Sequence, residues 1–364
     1  MSKAIENVKG NYTRNYGVDL FRIVAMFMIV NLHILKHGGV LEAVTATQFV
    51  VTWLLEAFLI CAVNCYAIIS GYAGYKEETV EIHYEKYIVL WLQVFIYSVV
   101  LTIVIQCISG TMELKALLKA FMPVTATQYW YFTAYTPVFF LAPWLKKFVH
   151  QLSTREAKLC LVILGIFGVY STLAGILYDP FRLEGGYSFI WLTVLFLVGA
   201  LIKKIGILNY ISTKKAWTMV GVSVLLNWLQ KLIIPSQNIF TSYISITMVI
   251  LSVALLGIFS RIDIKSYWVQ KLIKTMASAT FGVYLIHDNI AIRNYFIKDH
   301  FTWAAYLEPW KIPIFVLIIS LIVFVICLII DMGRGILFKK LKIAKCSVKI
   351  TEILKDLCGR DIKG

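Results

Sequence analysis

Long apolar runs, separated by short polar segments, make up most of this chain. A run of about 18 or more mostly apolar residues is long enough, at ~1.5 Å per residue, to cross the ~30 Å hydrocarbon core of a bilayer as a helix. The pattern predicts about ten such helices and therefore an all-α, polytopic membrane protein. The expected spans are 19–36, 48–72, 87–109, 129–145, 157–178, 187–202, 216–235, 240–260, 278–297 and 311–331.

The composition agrees with this pattern. Of the 364 residues, 60% are hydrophobic and only 15% are charged, and the mean hydropathy is +0.78. These values exclude an ordinary soluble globular domain of this size. Because the predicted connecting segments are short, any chemistry has to be built from the spans and their loops.

Basic residues are distributed unevenly between the two sets of connecting segments. If the N-terminus is cytoplasmic, 26 of the 35 Lys and Arg residues fall on the cytoplasmic side. An excess of Lys and Arg in short cytoplasmic loops sets the orientation of membrane proteins. We therefore expect both termini in the cytoplasm. The net charge of +15 then comes from loops beside anionic lipid and does not indicate nucleic-acid binding.

Residues 1–333 are expected to form one transmembrane domain, and 334–364 a basic cytoplasmic tail. The tail alternates Lys with apolar residues at helical spacing, which predicts an interfacial helix along the inner leaflet. The seven cysteines show neither a disulfide framework nor metal-ligand spacing, so no metal site is predicted. Cys61 and Cys65, one helical turn apart, are interpreted as helix-packing residues.

The first span, within "VDLFRIVAMFMIVNLHILKHGG" (18–39), contains two costly polar residues. Arg22 and His33 are eleven residues apart, which places them on one stripe of a helix and ~16 Å apart along its axis. Asp19, one turn before Arg22, is positioned to pair with it. Intramembrane ionisable residues are functional candidates. The alternatives are that Arg22 extends to the inner headgroups and that His33 makes a structural hydrogen bond.

A second polar cluster lies in "FGVYLIHDNIAIRN" (281–294). Tyr284, His287 and Asp288 fall within about one helical turn, and Arg293 is expected near the outer interface. They either line the same cavity as His33 or hydrogen-bond a neighbouring span. Glu56, in the second span, is a further buried acidic candidate.

Two further segments carry candidate binding residues. Ser70, Gly71 and Tyr72 end the second span, where glycine permits close approach of a helix or a ligand, although an ordinary helix C-terminus would use the same residues. Trp130 and Tyr131 open the fourth span, where aromatic residues form either an interfacial belt or a surface on which a sugar stacks.

These motifs together resemble the acyltransferase-3 family of bacterial integral membrane O-acyltransferases. The likeness covers the whole chain, and its order and placement are more specific than any single motif. It consists of "DLFR" followed by the Arg22 to His33 pair, "SGY" (70–72), "WYFTAY" (130–135) and "YLIH" (284–287).

The resemblance implies transfer of an acyl group, usually acetyl from cytoplasmic acetyl-CoA, to a hydroxyl of a surface carbohydrate at the bacterial cell membrane. It implies that His33 is catalytic and that Arg22 lies on the donor route. We also expect Ser70, Gly71, Tyr72 and Lys86 to contact the donor. Many family members begin the third span with a paired basic motif, whereas this chain has "HYEK", from His83 to Lys86.

The residue chemistry suits this reaction. A histidine titrates near neutral pH and can take the proton of an acceptor hydroxyl, and a guanidinium binds phosphate through paired charged hydrogen bonds. An acyl group carried by His33 itself remains an alternative. We expect acyl-CoA, a carbohydrate acceptor, the lipid bilayer and separate glycan-assembly proteins as partners, and no permanently bound cofactor. A transporter of a polysaccharide precursor or lipid is the alternative function.

Overall fold

A computed structural model describes residues 14–75 and 80–360, and it contains helices and no strands in those residues. Four members of the predicted inner basic set, Lys3, Lys9, Lys76 and Lys363, lie outside the described residues. The α-helices of the described chain are α1 (Tyr16–Lys36), α2 (Val40–Ala43), α3 (Ala46–Leu59), α4 (Ala62–Gly74), α5 (Tyr84–Ser109), α6 (Leu114–Phe121), α7 (Trp130–Gln151), α8 (Thr154–Ala174), α9 (Phe189–Ile205), α10 (Thr213–Ile233), α11 (Ile246–Phe259), α12 (Tyr267–His287), α13 (Ile290–Ile292), α14 (Lys311–Lys340) and α15 (Ile343–Arg360).

Five helical segments of the described residues are long and apolar enough to cross a membrane. These segments are Tyr16–Lys36, Ala46–Gly74, Tyr84–Ser109, Thr154–Ala174 and Lys311–Lys340. The prediction of an all-helical chain with membrane-spanning helices is therefore confirmed. The number of ten spans and the cytoplasmic position of both termini stay predictions.

The ninth predicted span, 278–297, differs from the structure. Helix α12 begins earlier and ends at His287. Asn289 then accepts hydrogen bonds from the backbone N–H groups of Ala291 and Ile292, which caps a new helical turn instead of continuing the old one. The chain therefore bends at Asp288, and Arg293 follows the bend.

The boundary proposed at residue 333 lies inside a helix. Helix α14 continues past Asp331 to Lys340, and the separate helix α15 covers most of the remaining tail. Helix α15 begins at Ile343, shortly after α14 ends, and residues 361–364 lie outside the described residues. The division of the chain at residue 333 stays a prediction. The contact of the tail with a membrane surface stays a prediction too.

Helix α1 lies at the centre of the fold and carries the principal candidate residues. The Asn15 side chain accepts a hydrogen bond from the Val18 N–H and so caps the start of the helix. Helices α4, α11, α12 and α14 all pack against α1, and most of its side chains are buried. Polar residues on several faces of α1 therefore meet other helices.

Helices α4 and α9 pack closely because glycine lies on both sides of their contact. A Cβ atom at Gly71 would lie 1.9 Å from the Phe196 carbonyl oxygen, and one at Gly199 would lie 2.1 Å from the Ile68 carbonyl oxygen. Neither position can hold a side chain without separating the helices. In this structure the close approach at Gly71 is therefore between two helices.

Candidate active site

A cavity of about 230 Å³ borders the C-terminal half of α1. Five basic or acidic side chains reach it: His33, Lys36, His37, Asp288 and Arg293. Its aromatic wall is formed by Tyr66, Trp130, Tyr131, Tyr187, Tyr243 and Tyr284. The sequence candidates His33, Trp130, Tyr131, Tyr284 and Asp288 are thus brought together around one space.

His33 and Asp288 face each other across this cavity. Nδ1 of His33 lies 3.5 Å from Oδ1 of Asp288, and the Asp288 side chain is almost completely buried. The same Oδ1 accepts a hydrogen bond of 3.0 Å from Arg293. The bend after α12 creates this arrangement, because it turns Arg293 back toward the carboxylate.

His287 lies beside His33 but has a different hydrogen bond. Its Nδ1 is 2.6 Å from the Val283 carbonyl oxygen, one turn earlier in α12. A carbonyl only accepts, so Nδ1 carries the proton and Nε2 is left with a lone pair. The two rings are 4.9 Å apart between centroids, and Nε2 of His287 is buried without a hydrogen-bond partner. Of the two alternatives for His287, a hydrogen bond to a neighbouring span is not found among the described residues, because its ring bonds its own helix.

Glu56 pairs with a residue of α1. Its side chain is completely buried, and Lys36 Nζ lies 3.2 Å from its Oε1. Removing a carboxylate from water is costly unless a cation compensates, and Lys36 provides that charge at the edge of the cavity. Glu56 thus supports Lys36 and is absent from the lining of the cavity itself.

At the other end of α1, Asp19 joins two arginines. Its Oδ1 is 3.1 Å from Arg22 Nη1, and its Oδ2 is 2.5 Å from Arg14 Nε. The predicted Asp19–Arg22 pair is present, and Arg14 extends it. Because one carboxylate is shared by two guanidinium groups, this end of α1 keeps an excess of positive charge.

A series of tyrosines extends the aromatic wall of the cavity along α7. The rings of Tyr66 and Tyr131, which line the cavity, are 6.4 Å apart, and the rings of Tyr131 and Tyr135 are 6.1 Å apart. Tyr66 belongs to α4, whereas Tyr131 and Tyr135 lie about one turn apart in α7. Aromatic rings therefore continue beyond the cavity on the α7 side.

A second, polar cavity of about 760 Å³ lies on the Arg14 side. Arg14, Lys203 and Arg261 contribute basic groups to its lining, and Asp263 an acidic one. Lys203 Nζ lies 4.7 Å from the ring centre of Tyr72, which places this sequence candidate beside the second cavity.

The remaining donor candidates occupy different positions. Ser70 donates its hydroxyl to the Tyr66 carbonyl oxygen at 2.9 Å, one turn earlier in α4. Gly71 packs against α9, as described above. Lys86 lies at the start of α5 and is absent from the lining of both cavities described.

Several residues at these cavities are not among the candidates that the sequence analysis named. Lys36 and His37 follow His33 by three and four residues, so helical spacing alone would have identified them. Tyr187 and Tyr243 lie in connecting segments and reach the cavity only through tertiary packing. No periodicity in the sequence marks them.

The chain was compared with known proteins. Residues 15–332, nearly the whole chain, match the sequence model of a family described as an acyltransferase domain, Acyl_transf_3. No curated protein and no solved structure gives a significant match. The match confirms the resemblance seen in the motifs, and with the apolar helices it indicates a membrane acyltransferase. The chain belongs to the acyltransferase-3 family.

Proposed function

We propose that the protein is a bacterial plasma-membrane O-acyltransferase that moves an acyl group, most simply acetyl, from cytoplasmic acyl-CoA to a hydroxyl of a cell-surface carbohydrate. The observation that carries this proposal is the pairing of the His33 imidazole with the buried Asp288 carboxylate at an aromatic-lined cavity. Family membership supplies acyl transfer in general.

His33 would act as the general base. The acceptor hydroxyl gives its proton to the imidazole while its oxygen attacks the thioester carbonyl, and collapse of the intermediate forms the ester and releases CoA as thiolate. The imidazolium then returns the proton to the sulfur. Asp288 would orient the ring and stabilise its positive form, as a carboxylate next to a catalytic histidine does. A covalent acyl-His33 intermediate is compatible with the same geometry.

The donor would approach from the Arg22 end of α1. Arg14, Arg22 and Lys203 offer positive charge for the phosphates of CoA, and the adjoining cavity of about 760 Å³ offers space. Arg22 and His33 are separated by ~16 Å of helix, a length that suits the extended pantetheine arm. The tyrosine rings that continue beyond the cavity would line this path.

The aromatic wall would hold the acceptor. Trp130 and Tyr187 have ring centres 4.5 Å apart, and Trp130 also stacks with Tyr243. Such faces suit the apolar face of a sugar ring, while the nearby polar groups position its hydroxyls. This favours the stacking interpretation of the segment that begins at Trp130.

A direct assay would test the proposal. Protein purified into lipid nanodiscs is mixed with radiolabelled acetyl-CoA and surface glycan from the parent cells, and both labelled glycan and free CoA thiol are measured. Replacing His33 with Ala should lower transfer by about 10²–10⁴-fold, the usual contribution of general acid–base catalysis.

The matched control is His300→Ala, because His300 is exposed and, within residues 14–75 and 80–360, its ring has one hydrogen-bond partner, the neighbouring Lys298 carbonyl oxygen. It should transfer acetyl at the wild-type rate. Full activity of a folded His33→Ala protein would refute the assignment of the base. Movement of glycan across the membrane without release of CoA would favour the transporter alternative.

A further inference from the structure

Three ligand-type side chains converge at the His33 end of α1. One nitrogen from each of His33 and His37 and one carboxylate oxygen of Asp288 lie within 4.8 Å of one another. The cluster includes His37, for which the proposed acyl transfer has no use.

Helix geometry explains why the two histidines meet. The His37 N–H donates to the His33 carbonyl oxygen at 2.9 Å, so the helical hydrogen bonding of α1 continues to its cap residue. Residues four apart lie on the same face of a helix. The two rings are accordingly 5.0 Å apart between centroids.

The donor set suits Zn²⁺. Two imidazoles and a carboxylate are ligands found in tetrahedral zinc sites, and histidines four apart on a helix are a common way to supply two of them. Nδ1 of His33 is buried and has no hydrogen-bond partner in the part of the chain that the structure describes, although it faces Asp288 at 3.5 Å. Small side-chain rotations would bring the three atoms to bonding distance of one ion and leave a fourth position open.

We propose that His33, His37 and Asp288 form an inhibitory Zn²⁺ site. Zinc bound at Nδ1 of His33 takes the position that faces Asp288, withdraws electron density from the ring and fills part of the acceptor cavity. Each effect opposes proton abstraction by His33. The inhibition rests on the proposed function, whereas binding of the metal does not.

Neighbouring positive charges weaken zinc binding at this site, so that the bound ion can dissociate. Arg293 already donates to Oδ1 of Asp288, and Lys36 borders the same cavity, although Glu56 neutralises it. Zinc must bind beside these cations or displace Arg293, which weakens its affinity. The geometry therefore points to a regulatory ion and away from a permanently bound one.

Zinc binding is measured first, without reference to activity. Purified protein in nanodiscs is washed with chelator, titrated with ZnCl₂ in competition with a zinc indicator dye, and titrated separately with CoCl₂ to follow the visible absorption of tetrahedral cobalt. His37→Ala should bind zinc at least about tenfold more weakly, since loss of even an indirect contact to a metal ligand costs that much. His300→Ala should bind zinc as the wild type does.

A second substitution controls for misfolding, and a second ion controls for non-specific binding of divalent cations. His37→Asn is tested beside His37→Ala, and only variants that elute as folded monodisperse protein are used. MgCl₂ should neither bind nor inhibit at the same concentrations, because magnesium prefers oxygen ligands in an octahedron. Equal zinc affinity of wild type and both folded His37 variants would overturn the site.

Acetyl transfer is then measured against zinc concentration, each protein being compared with its own zinc-free rate. Half-inhibition of His37→Ala should require at least about tenfold more zinc than that of the wild type. Zinc binding that depends on His37 in a protein without transferase activity would uphold the site and refute the proposed function. Acetyl transfer by a protein whose zinc affinity does not depend on His37 would refute the zinc site and uphold the proposed function.

Discussion

Two buried aspartates, Asp288 and Asp331, show how the same residue type is used for different purposes in one fold. Both are almost inaccessible, with 2% and 1% of their surface exposed, and both pair with an arginine that follows them in the chain. Sequence alone places Asp288 in the middle of one predicted span and Asp331 at the end of another. Their surroundings separate them.

Asp331 has its hydrogen-bonding capacity filled by protein. Its Oδ1 accepts from Gln93, Tyr97 and Arg334, at 3.0, 2.9 and 2.7 Å, and its Oδ2 accepts from Arg334 at 2.9 Å. The donors come from α5 and α14, and Gly282 of α12 packs directly against the carboxylate. Asp331 therefore joins three helices and has no room for a substrate.

Asp288 is less completely bonded and borders a cavity. It accepts a hydrogen bond from Arg293 and pairs with His33 at 3.5 Å, which is longer than an ordinary hydrogen bond. A buried carboxylate with remaining acceptor capacity is costly, and such groups concentrate at functional sites. The contrast shows that saturation by protein donors, more than burial, distinguishes the structural carboxylate of Asp331 from the carboxylate of Asp288, for which we propose a catalytic role.

The largest expected effect comes from Asp288→Asn. The amide keeps the shape of the side chain but removes the charge that would stabilise an imidazolium at His33. We expect kcat for acetyl transfer to fall by about 10²-fold or more, within the range for acid–base groups. The thermal denaturation midpoint in detergent should fall less than in Asp331→Asn, because one charged hydrogen bond, from Arg293, is weakened instead of two from Arg334. Wild-type kcat in folded Asp288→Asn protein would contradict the distinction between the two aspartates.

The next largest effect is expected for Gly282→Ala, which disturbs the packing of α12 against the Asp331 side chain. A Cβ atom at this position would lie 1.9 Å from Cγ of Asp331, so α12 and α14 would have to separate. Overpacking of this kind lowers the free energy of unfolding by about 1–3 kcal/mol and sometimes more, and we expect Gly282→Ala to lower it by about 3 kcal/mol. Thermal denaturation in detergent measures it.

Gly333→Ala is the matched control for Gly282→Ala. Gly333 lies in α14, close in sequence to Asp331, and a Cβ atom there would meet no other atom within 4 Å. Alanine in a helix interior is favoured over glycine by up to about 1 kcal/mol, so this variant should be equally or more stable than the wild type. Equal loss of stability in both variants would show that the Asp331 contact is not the cause.

The same contrast shows which parts of the site follow from sequence. The Asp19–Arg22 pair and the positions of Arg22 and His33 along α1 can be predicted because helix geometry fixes spacings of three and eleven residues. The pairing of His33 with Asp288 cannot, because it joins residues far apart in the chain. Long-range pairs of this kind depend on tertiary packing.

The bend after α12 is a further feature that sequence does not reveal. Apolar residues continue on both sides of Asp288 and Asn289, so hydropathy predicts one uninterrupted span. The capping hydrogen bonds of Asn289 override that pattern locally. The placement of most of the longer helices, by contrast, follows the apolar runs, since burial in protein and contact with lipid both select for apolar residues.

The smallest expected effect is that of Asp331→Asn, the counterpart of Asp288→Asn. The amide oxygen can still accept from Gln93 and Tyr97, but its NH₂ group would face an Arg334 nitrogen that also donates. Loss of charged hydrogen bonds lowers the free energy of unfolding by about 1.5–3 kcal/mol. Because the contacts with Gln93 and Tyr97 are kept, we expect a loss of about 2 kcal/mol for this variant. The denaturation midpoint should fall while kcat per folded molecule stays at the wild-type value.

Combining Asp331→Asn with Arg334→Ala should lower the midpoint by less than the sum of the single effects, because both changes remove the same ion pair. A fall in kcat without a fall in the midpoint would mean that Asp331, like Asp288, acts in the reaction.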